Sequence, residues 1–432
     1  MRRRILVATG LSLFWTLLVI AVVFAKALWF PQPPVVRGDF ASIERHLIQE
    51  LRDAANDKRL GSAALALLQN GKIAAEHGFG IANAETQAPV KTDQTLYRVA
   101  SVSKAVTAWG VMKLVEEGKL SLDEPVMRHL TRWRFPGSEQ YRDKVTLRHL
   151  LAHTAGLDDG LGYGGFLPGE YVQSLEESLT LPKDSTVGEA RPIKVEREPG
   201  TAMAYSGAGY TILELLIEEV TKRPFADYIK DSVLVPLGMT RSSFDLDAIT
   251  AEGRTQEIAT SYDYELRSQP HRRHTAQAAV SLYTTPRDLA RFAMAYTAQE
   301  NPVLRQETLK QMLMPQPGTG GTWGLGQTLF VANNDGRYIV GHDGGSPPAW
   351  GAWMRVNPAT GNGMVMMISG GRGAANKLAD DWIYWETGKV TFEARRQTVY
   401  RLAGPALVAI IVGAVVIMLW QFVMYSKRHR LP

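Results

Sequence analysis

The chain has 432 residues, 45% of them hydrophobic and 21% charged, enough for one large core, and no internal repeat or low-complexity tract points to a solenoid or a disordered scaffold. The absence of cysteine excludes a disulfide framework and thiol chemistry. The formal charge of +5 gathers at the ends: without Arg2, Arg3, Arg4, Lys427, Arg428 and Arg430 the rest carries about −1, so the basic balance is an orientation signal and not a nucleic-acid footprint.

Residues 1–26 open with those arginines and continue into Ile5–Ala25, an uncharged stretch of about 21 residues, long enough to cross a bilayer as a helix. A cleaved signal peptide ending near Ala27 is the alternative, although the apolar stretch is long for one. Residues 27–42 read as a linker stiffened by Pro31-Gln32-Pro33-Pro34. A helix is expected near Ile43–Ala55, then two strands over 62–82 joined at Asn70-Gly71, a dipeptide that suits a tight hairpin. Thr95–Ala100 reads as extended and Ala105–Glu117 as a helix stopped by Gly118, which sets Ser101-Val102-Ser103-Lys104 at the helix start. Ser101 and Lys104, at i and i+3, share a helix face, so the amine can take the hydroxyl proton. A plain N-cap serine is the bland reading of Ser101.

Further along, a helix over Val145–Leu151 leads to a turn at His153, for which a structural role is expected, and Gly160–Gly169 lacks the lysine of a phosphate loop and reads as an irregular cleft wall. Tyr205-Ser206-Gly207 follows in a largely helical middle. Strands are expected near 322–330, 337–342, 349–355 and 363–369, with His342-Asp343-Gly344 on the second. The histidines are scattered without zinc-type spacing, so neither a metal nor a cofactor is expected. After a juxtamembrane linker, 391–401, Leu402–Tyr425 forms a second uncharged stretch of about 24 residues, and 426–432 is a basic tail. Arg2–Arg4 place the N-terminus in the cytoplasm, and two crossings return the C-terminus there.

Ser101-Val102-Ser103-Lys104, Tyr205-Ser206-Gly207 and His342-Asp343-Gly344, with Val145–Leu157, Glu198–Thr201, Pro236–Met239 and Ser281–Phe292 between them, resemble the class C β-lactamase and penicillin-binding-protein-like serine hydrolase family over roughly residues 43 to 375. The resemblance implies an α/β (α+β) β-lactamase/transpeptidase-like fold for a domain at 43–390. It would have an antiparallel sheet flanked by helices, a mainly helical subdomain, and the site at their junction. It also implies Ser101 as nucleophile, Lys104 and Tyr205 as proton relay, and the backbone N–H groups of Ser101 and Gly345 as oxyanion hole, with His342, Gly344 and Gly207 lining the substrate. Which of Lys104 and Tyr205 is the general base stays open.

One position departs from the pattern. Penicillin-recognising members carry Asn where this chain has Gly207, so the amide that reads an acylamino group is missing. Ser206 and Asp343 are local polar substitutes, and a Gly207→Asn change is expected to tilt activity toward β-lactams or peptides. The expectation is therefore a membrane hydrolase acting on a small ester, amide or peptide, esterase-like or D-amino-acid-peptidase-like, with its domain periplasmic or extracellular on the plasma (inner) membrane. The alternatives are a β-lactamase or D,D-carboxypeptidase and, from another class, a weakly catalytic muropeptide-binding protein. No nucleic-acid partner is expected, and the oligomeric state is open.

Overall fold

The computed structural model describes residues 2–29, 38–137, 139–157, 163–186, 190–346, 348–371 and 375–428. The Pro31–Pro34 stretch, Gly160 to Gly162 of the glycine-rich segment and Arg430 of the basic tail lie outside the described residues. Two compact units are formed, one from 38–382 and one from 1–37 with 383–432.

The larger unit begins with α2 (Phe40–Asn56), after α1 (Arg2–Trp29) of the other unit, and continues with strands β1 (Ser62–Gln69), β2 (Lys72–Asn83), β3 (Ala88–Pro89) and β4 (Tyr97–Arg98). Its helical middle holds α3 (Ser103–Glu116), α4 (Leu147–Leu151), α5 (Leu175–Thr180), α6 (Ala208–Thr221), α7 (Phe225–Ile229) and α8 (Leu246–Ala251). There follow β5 (Ser261–Tyr262), β6 (Ser268–Gln269), α9 (Gln277–Val280), β7 (Tyr283–Thr284), α10 (Pro286–Ala295) and α11 (Gln306–Met312). Strands β8 (Thr328–Ala332), β9 (Tyr338–Ser346), β10 (Trp350–Asn357) and β11 (Asn362–Ser369) then lead to α12 (Ala375–Thr387) and α13 (Phe392–Arg428).

The main sheet has seven strands in the order β3-β2-β1-β11-β10-β9-β8, and its pairings are antiparallel. The last strand thus closes on the first, with Ser62 opposite Ser369 and Leu68 opposite Gly363. Strand β1 is small and aliphatic from Ala63 to Leu68 and buried from Ser62 to Leu68, as a central strand covered on both faces must be. Ala64, Ala66, Leu68, Ala352, Met354 and Val365 join the main core with α3, α6 and α10, whereas Trp353 of the alternate face donates its indole N–H to Asn376 Oδ1 of α12 at 2.8 Å. On α2 the stripe Ile43, Leu47, Leu51 and Ala54 is buried, and Asp39 caps the helix by accepting from Ser42 N–H at 2.9 Å. Burial of each large apolar side chain of this stripe contributes about 1.5–3 kcal/mol.

The strand expected near 322–330 begins later, at Thr328. Gly320, Gly321 and Gly326 have φ of +62°, +81° and +86°, so the chain turns here, and at Gly326 a Cβ would sit 2.1 Å from that of Ala108. Strand β9 runs past 342 to Ser346, along the nucleophile turn.

In the smaller unit α1 packs on α13: Trp15 donates its indole N–H to Ala409 O at 2.9 Å, and Gly413 makes room for that ring, because a Cβ there would lie 2.1 Å from Trp15 Nε1. A span is expected at each end of the chain. Among the described residues one segment, Leu402–Val423 of α13, with 22 residues and mean hydropathy 2.7, is long and apolar enough to cross a membrane by length and composition. The described apolar stretch of α1, Gly10–Lys26, is shorter.

Candidate active site

The Ser101 segment is set by backbone pairing behind it. β4 pairs with β7, and Val99 N–H donates to Leu282 O at 2.9 Å, which anchors the chain up to Ala100. Ala100 adopts φ +46°, unusual for a residue with a Cβ, and opens a 3₁₀ turn over Ala100–Val102 that feeds α3. Ser101 lies in that turn, and the N-cap of α3 is Val102, with no side-chain cap, so the N-cap reading of Ser101 does not describe the geometry. Ser103 faces the other way, its Oγ accepting from Leu282 N–H at 3.0 Å.

Lys104 is 1% exposed and donates from Nζ to Ser101 Oγ at 3.2 Å and to Ala279 O at 2.9 Å. The second acceptor is itself held in place. Glu214 of α6, fully buried, accepts from Ala278 N–H at 2.8 Å, and Thr107 Oγ1 donates to Ala278 O at 3.0 Å. Burial pushes the Glu214 carboxyl well above its usual range.

Two tyrosine rings flank the amine: Nζ is 5.1 Å from the ring centroid of Tyr205 and 5.6 Å from that of Tyr210. They differ in burial. Tyr210 is fully buried, donates its hydroxyl to Leu151 O at 3.3 Å and has its pKa pushed well above 10 by burial, so it is a fixed neutral donor. Tyr205 is half-buried on the segment before α6.

His153 grips that segment, beyond the turn role expected for it. Its carbonyl accepts from Ala204 N–H at 2.8 Å, its Nδ1 accepts from Ser206 N–H at 3.1 Å, and its ring lies 4.3 Å from that of Tyr205 at 32°. With φ of +57°, it turns its carbonyl and ring toward the same stretch. Burial, then the nearby Lys104 charge, holds its pKa well below the usual histidine value, so the ring is neutral. Trp323 completes the wall, 5.8 Å from the Tyr205 ring and 5.3 Å from that of His342, and donates its indole N–H to Leu151 O at 3.2 Å.

His342, 2% exposed on β9, donates from Nδ1 to Asp343 O at 2.7 Å, which leaves a lone pair on Nε2. Burial, reinforced by Lys104, pushes its pKa down to about 3. The ring, 6.2 Å from that of Tyr205, is a neutral acceptor near the relay and not a cation for a substrate carboxylate. Gly344 brings β9 against the nucleophile turn: a Cβ there would lie 2.0 Å from Val99 O and 3.3 Å from Ser101 N, so only glycine permits the approach. Gly345 follows on the strand, opposite Gly351 of β10.

The polar substitutes expected for the missing amide are engaged elsewhere. Asp343 forms an ion pair with Arg355, whose guanidinium stacks 3.7 Å over the Phe330 ring, and Ser206 Oγ accepts from Gly209 N–H at 2.9 Å at the start of α6. Thus the fold brings Ser101, Lys104, Tyr205, His342 and Gly344 together, with Gly207 two residues beyond the tyrosine. The sequence reading missed the grip of His153 on Tyr205 and the support from Glu214. A helix-turn histidine and an acidic residue inside an apolar helix were the signals available.

Comparison with known proteins agrees with this architecture. The Beta-lactamase family model matches residues 42–389. Penicillin-binding protein 4* of Bacillus subtilis (strain 168) is 29% identical over 228 residues, covering 53% of this chain and 48% of that protein, so the match spans about half the length of this curated relative. The octameric penicillin-binding protein homologue from Pyrococcus abyssi is 25% identical with a TM-score of 0.64, covering 82% of this chain and 78% of that one. The D-amino acid amidase from Ochrobactrum anthropi SV3 complexed with L-phenylalanine, 21% identical with a TM-score of 0.61 over 80% of this chain and 99% of that one, shares the fold.

Proposed function

We propose that this chain, which belongs to the beta-lactamase family and is a serine hydrolase, is a membrane-anchored enzyme that cleaves an ester or amide through an acyl-enzyme on Ser101. Ser101 Oγ attacks the acyl carbonyl carbon as its proton passes to Lys104 Nζ or the Tyr205 phenolate oxygen. The negative charge on the carbonyl oxygen is met by the N–H groups of Ser101 and Gly345, a pairing supported by the close approach of Gly344 to Val99 and Ser101. The relay returns the proton to the leaving alcohol or amine as the carbonyl carbon's bond to it breaks, and water then repeats the sequence to free the acid.

The observation that carries this reading is a lysine amine almost fully buried and 3.2 Å from the serine hydroxyl. Burying an ammonium is expensive. Its position between Ser101 Oγ and two tyrosine rings is what proton transfer requires and what packing alone would not favour. His342 and His153 act here as neutral orienting groups for Tyr205.

Membrane attachment rests on α13, where Leu407, Val408, Ile411 and Phe422 are each more than half exposed, an apolar surface that suits lipid. Exposed Leu13, Phe14, Leu17 and Phe24 of α1 support a second crossing, with Arg2–Arg4 in the cytoplasm and the domain outside. Absence of an amide at Gly207 favours simple esters and amides over β-lactams, and the D-amino acid amidase that shares the fold makes D-amino-acid amides substrates to try. A panel of short-chain esters, D-amino-acid amides, D-Ala-D-Ala peptides and β-lactams on the full chain in detergent tests this. Measurable ester turnover, weak β-lactam turnover and loss of both in Ser101→Ala are expected. No turnover of any member by folded protein would favour a muropeptide-binding role.

A further inference from the structure

Gly207 and Tyr163, far apart in the chain, share one volume. Gly207 has φ −73° and ψ −41°, ordinary right-handed values, so its backbone does not call for glycine. Space does: a Cβ there would lie 2.8 Å from Tyr163 Cε2, 3.5 Å from Cδ2 and 3.6 Å from Cζ, against a ring edge and not the loose end of a flexible side chain. The ring is 5% exposed and lies along the first turn of α6, where Thr211 Oγ1 donates to the Tyr163 hydroxyl at 3.3 Å.

The ring is also held from behind. Gly164 N–H donates to Asp184 O at 2.6 Å, Gly165 N–H donates to Asp184 Oδ2 at 3.0 Å, and Phe166 and Arg273 exchange two backbone hydrogen bonds of 2.7 and 3.0 Å. Gly165, at φ +71°, lets this strip lie against His274, whose Nε2 would be 2.6 Å from a Cβ at 165. The backbone that follows Tyr163 is therefore fixed against Asp184 and Arg273.

We propose that Tyr163 is a specificity-determining residue of this hydrolase: its ring fills the volume that an asparagine side chain would need at position 207, making the wall beside Tyr205 aromatic and free of an amide. The substrate it suits is an ester or amide whose acyl part is apolar at that wall. An acylamino group placed there would leave its N–H and C=O facing a ring, and burying them unpaired penalises such substrates. The expectation that Gly207→Asn alone supplies the missing amide is thereby revised, since Tyr163 must also yield. Tyr163 can act this way only if Ser101 is acylated as proposed above.

The test is a double-mutant cycle on the full chain in detergent, with wild type, Gly207→Asn, Tyr163→Ala and the double variant. It is read by melting temperature and by kcat/KM on the p-nitrophenyl esters of butyrate and of N-acetyl-D-alanine. Gly207→Asn alone is expected to lower the melting temperature by about 2–6 °C and to slow both esters. Against the Tyr163→Ala background the same change should cost little stability, and the double variant should raise the N-acetyl-D-alanyl to butyryl ratio by about tenfold or more over wild type. A shifted ratio separates this role from simple packing. Additive melting temperatures, or Gly207→Asn alone shifting the ratio at unchanged stability, would overturn the role of Tyr163 whatever the turnover. Absence of ester turnover in wild type would instead overturn the acyl-transfer reading and the specificity role with it, and coupled melting temperatures would then still report the shared volume.

Discussion

Gly344→Ala perturbs the junction of β9 with the nucleophile turn by a single methyl group. The added Cβ would sit 2.0 Å from Val99 O and 3.0 Å from Val99 C, both rigid backbone atoms, while real Cβ contacts essentially never fall under 3.0 Å. The strand and the turn must therefore separate by about 1 Å, which draws Gly345 N–H away from Ser101 N–H. Losing the geometry of one oxyanion donor costs about 10²–10³ in kcat, about 2.7–4 kcal/mol of transition-state stabilisation. Because the donors act on charge that develops in the transition state, kcat should fall far more than KM changes. Steady-state kinetics on a short-chain ester, with circular dichroism to verify folding, would measure the effect. A folded Gly344→Ala variant with kcat within about threefold of wild type would refute the placement of the oxyanion hole at this junction.

Lys104→Ala and Tyr205→Phe should each slow acylation by about 10²–10⁴-fold in stopped-flow ester assays, and near-normal rates in both would remove the relay. Acid should destabilise the fold through its buried neutral histidines: His342 is held down to about 3 and His271 to about 4, and burial also lowers His153 and His274. Their contribution is complete above the unfolded value of about 6.5 and is lost as pH falls, at about 1.4 kcal/mol per pH unit for each group, so His342 alone loses about 2 kcal/mol between pH 6.5 and 5. Glu214 and Asp184, raised by burial, act oppositely and offset part of this. Melting temperature should still drop across that window, and a flat or rising profile would contradict the neutral-histidine cluster. For topology, reporters at Gly388 and after Pro432 should read extracytoplasmic and cytoplasmic respectively, and a cytoplasmic reading at Gly388 would reverse the orientation.

Local features were legible in the sequence because their physics is local. The Asn70-Gly71 hairpin, the helix stopped by Gly118 and the i, i+3 approach of Lys104 to Ser101 each depend on a few neighbouring residues, and the structure has all three. A single antiparallel sheet flanked by helices followed from the resemblance together with the strand-like runs at both ends of the domain, but its strand order did not. Contacts between distant segments were not legible. Nothing near Gly207 announces that Tyr163 fills the space beside it, and nothing near Asp343 announces its ion pair with Arg355. His153 read as a turn residue because its carbonyl and ring become orienting groups only once Tyr205 folds back against them.

Everything proposed for the chemistry depends on Ser101 as the nucleophile, made so by a buried amine 3.2 Å away. Its most direct measurement is intact-mass and peptide mapping of the full chain after reaction with a fluorophosphonate probe. One adduct is expected, on the peptide carrying Ser101, absent in Ser101→Ala and formed far more slowly in Lys104→Ala. Folded wild-type protein that stays unlabelled, or an adduct on another residue that persists in Ser101→Ala, would contradict it.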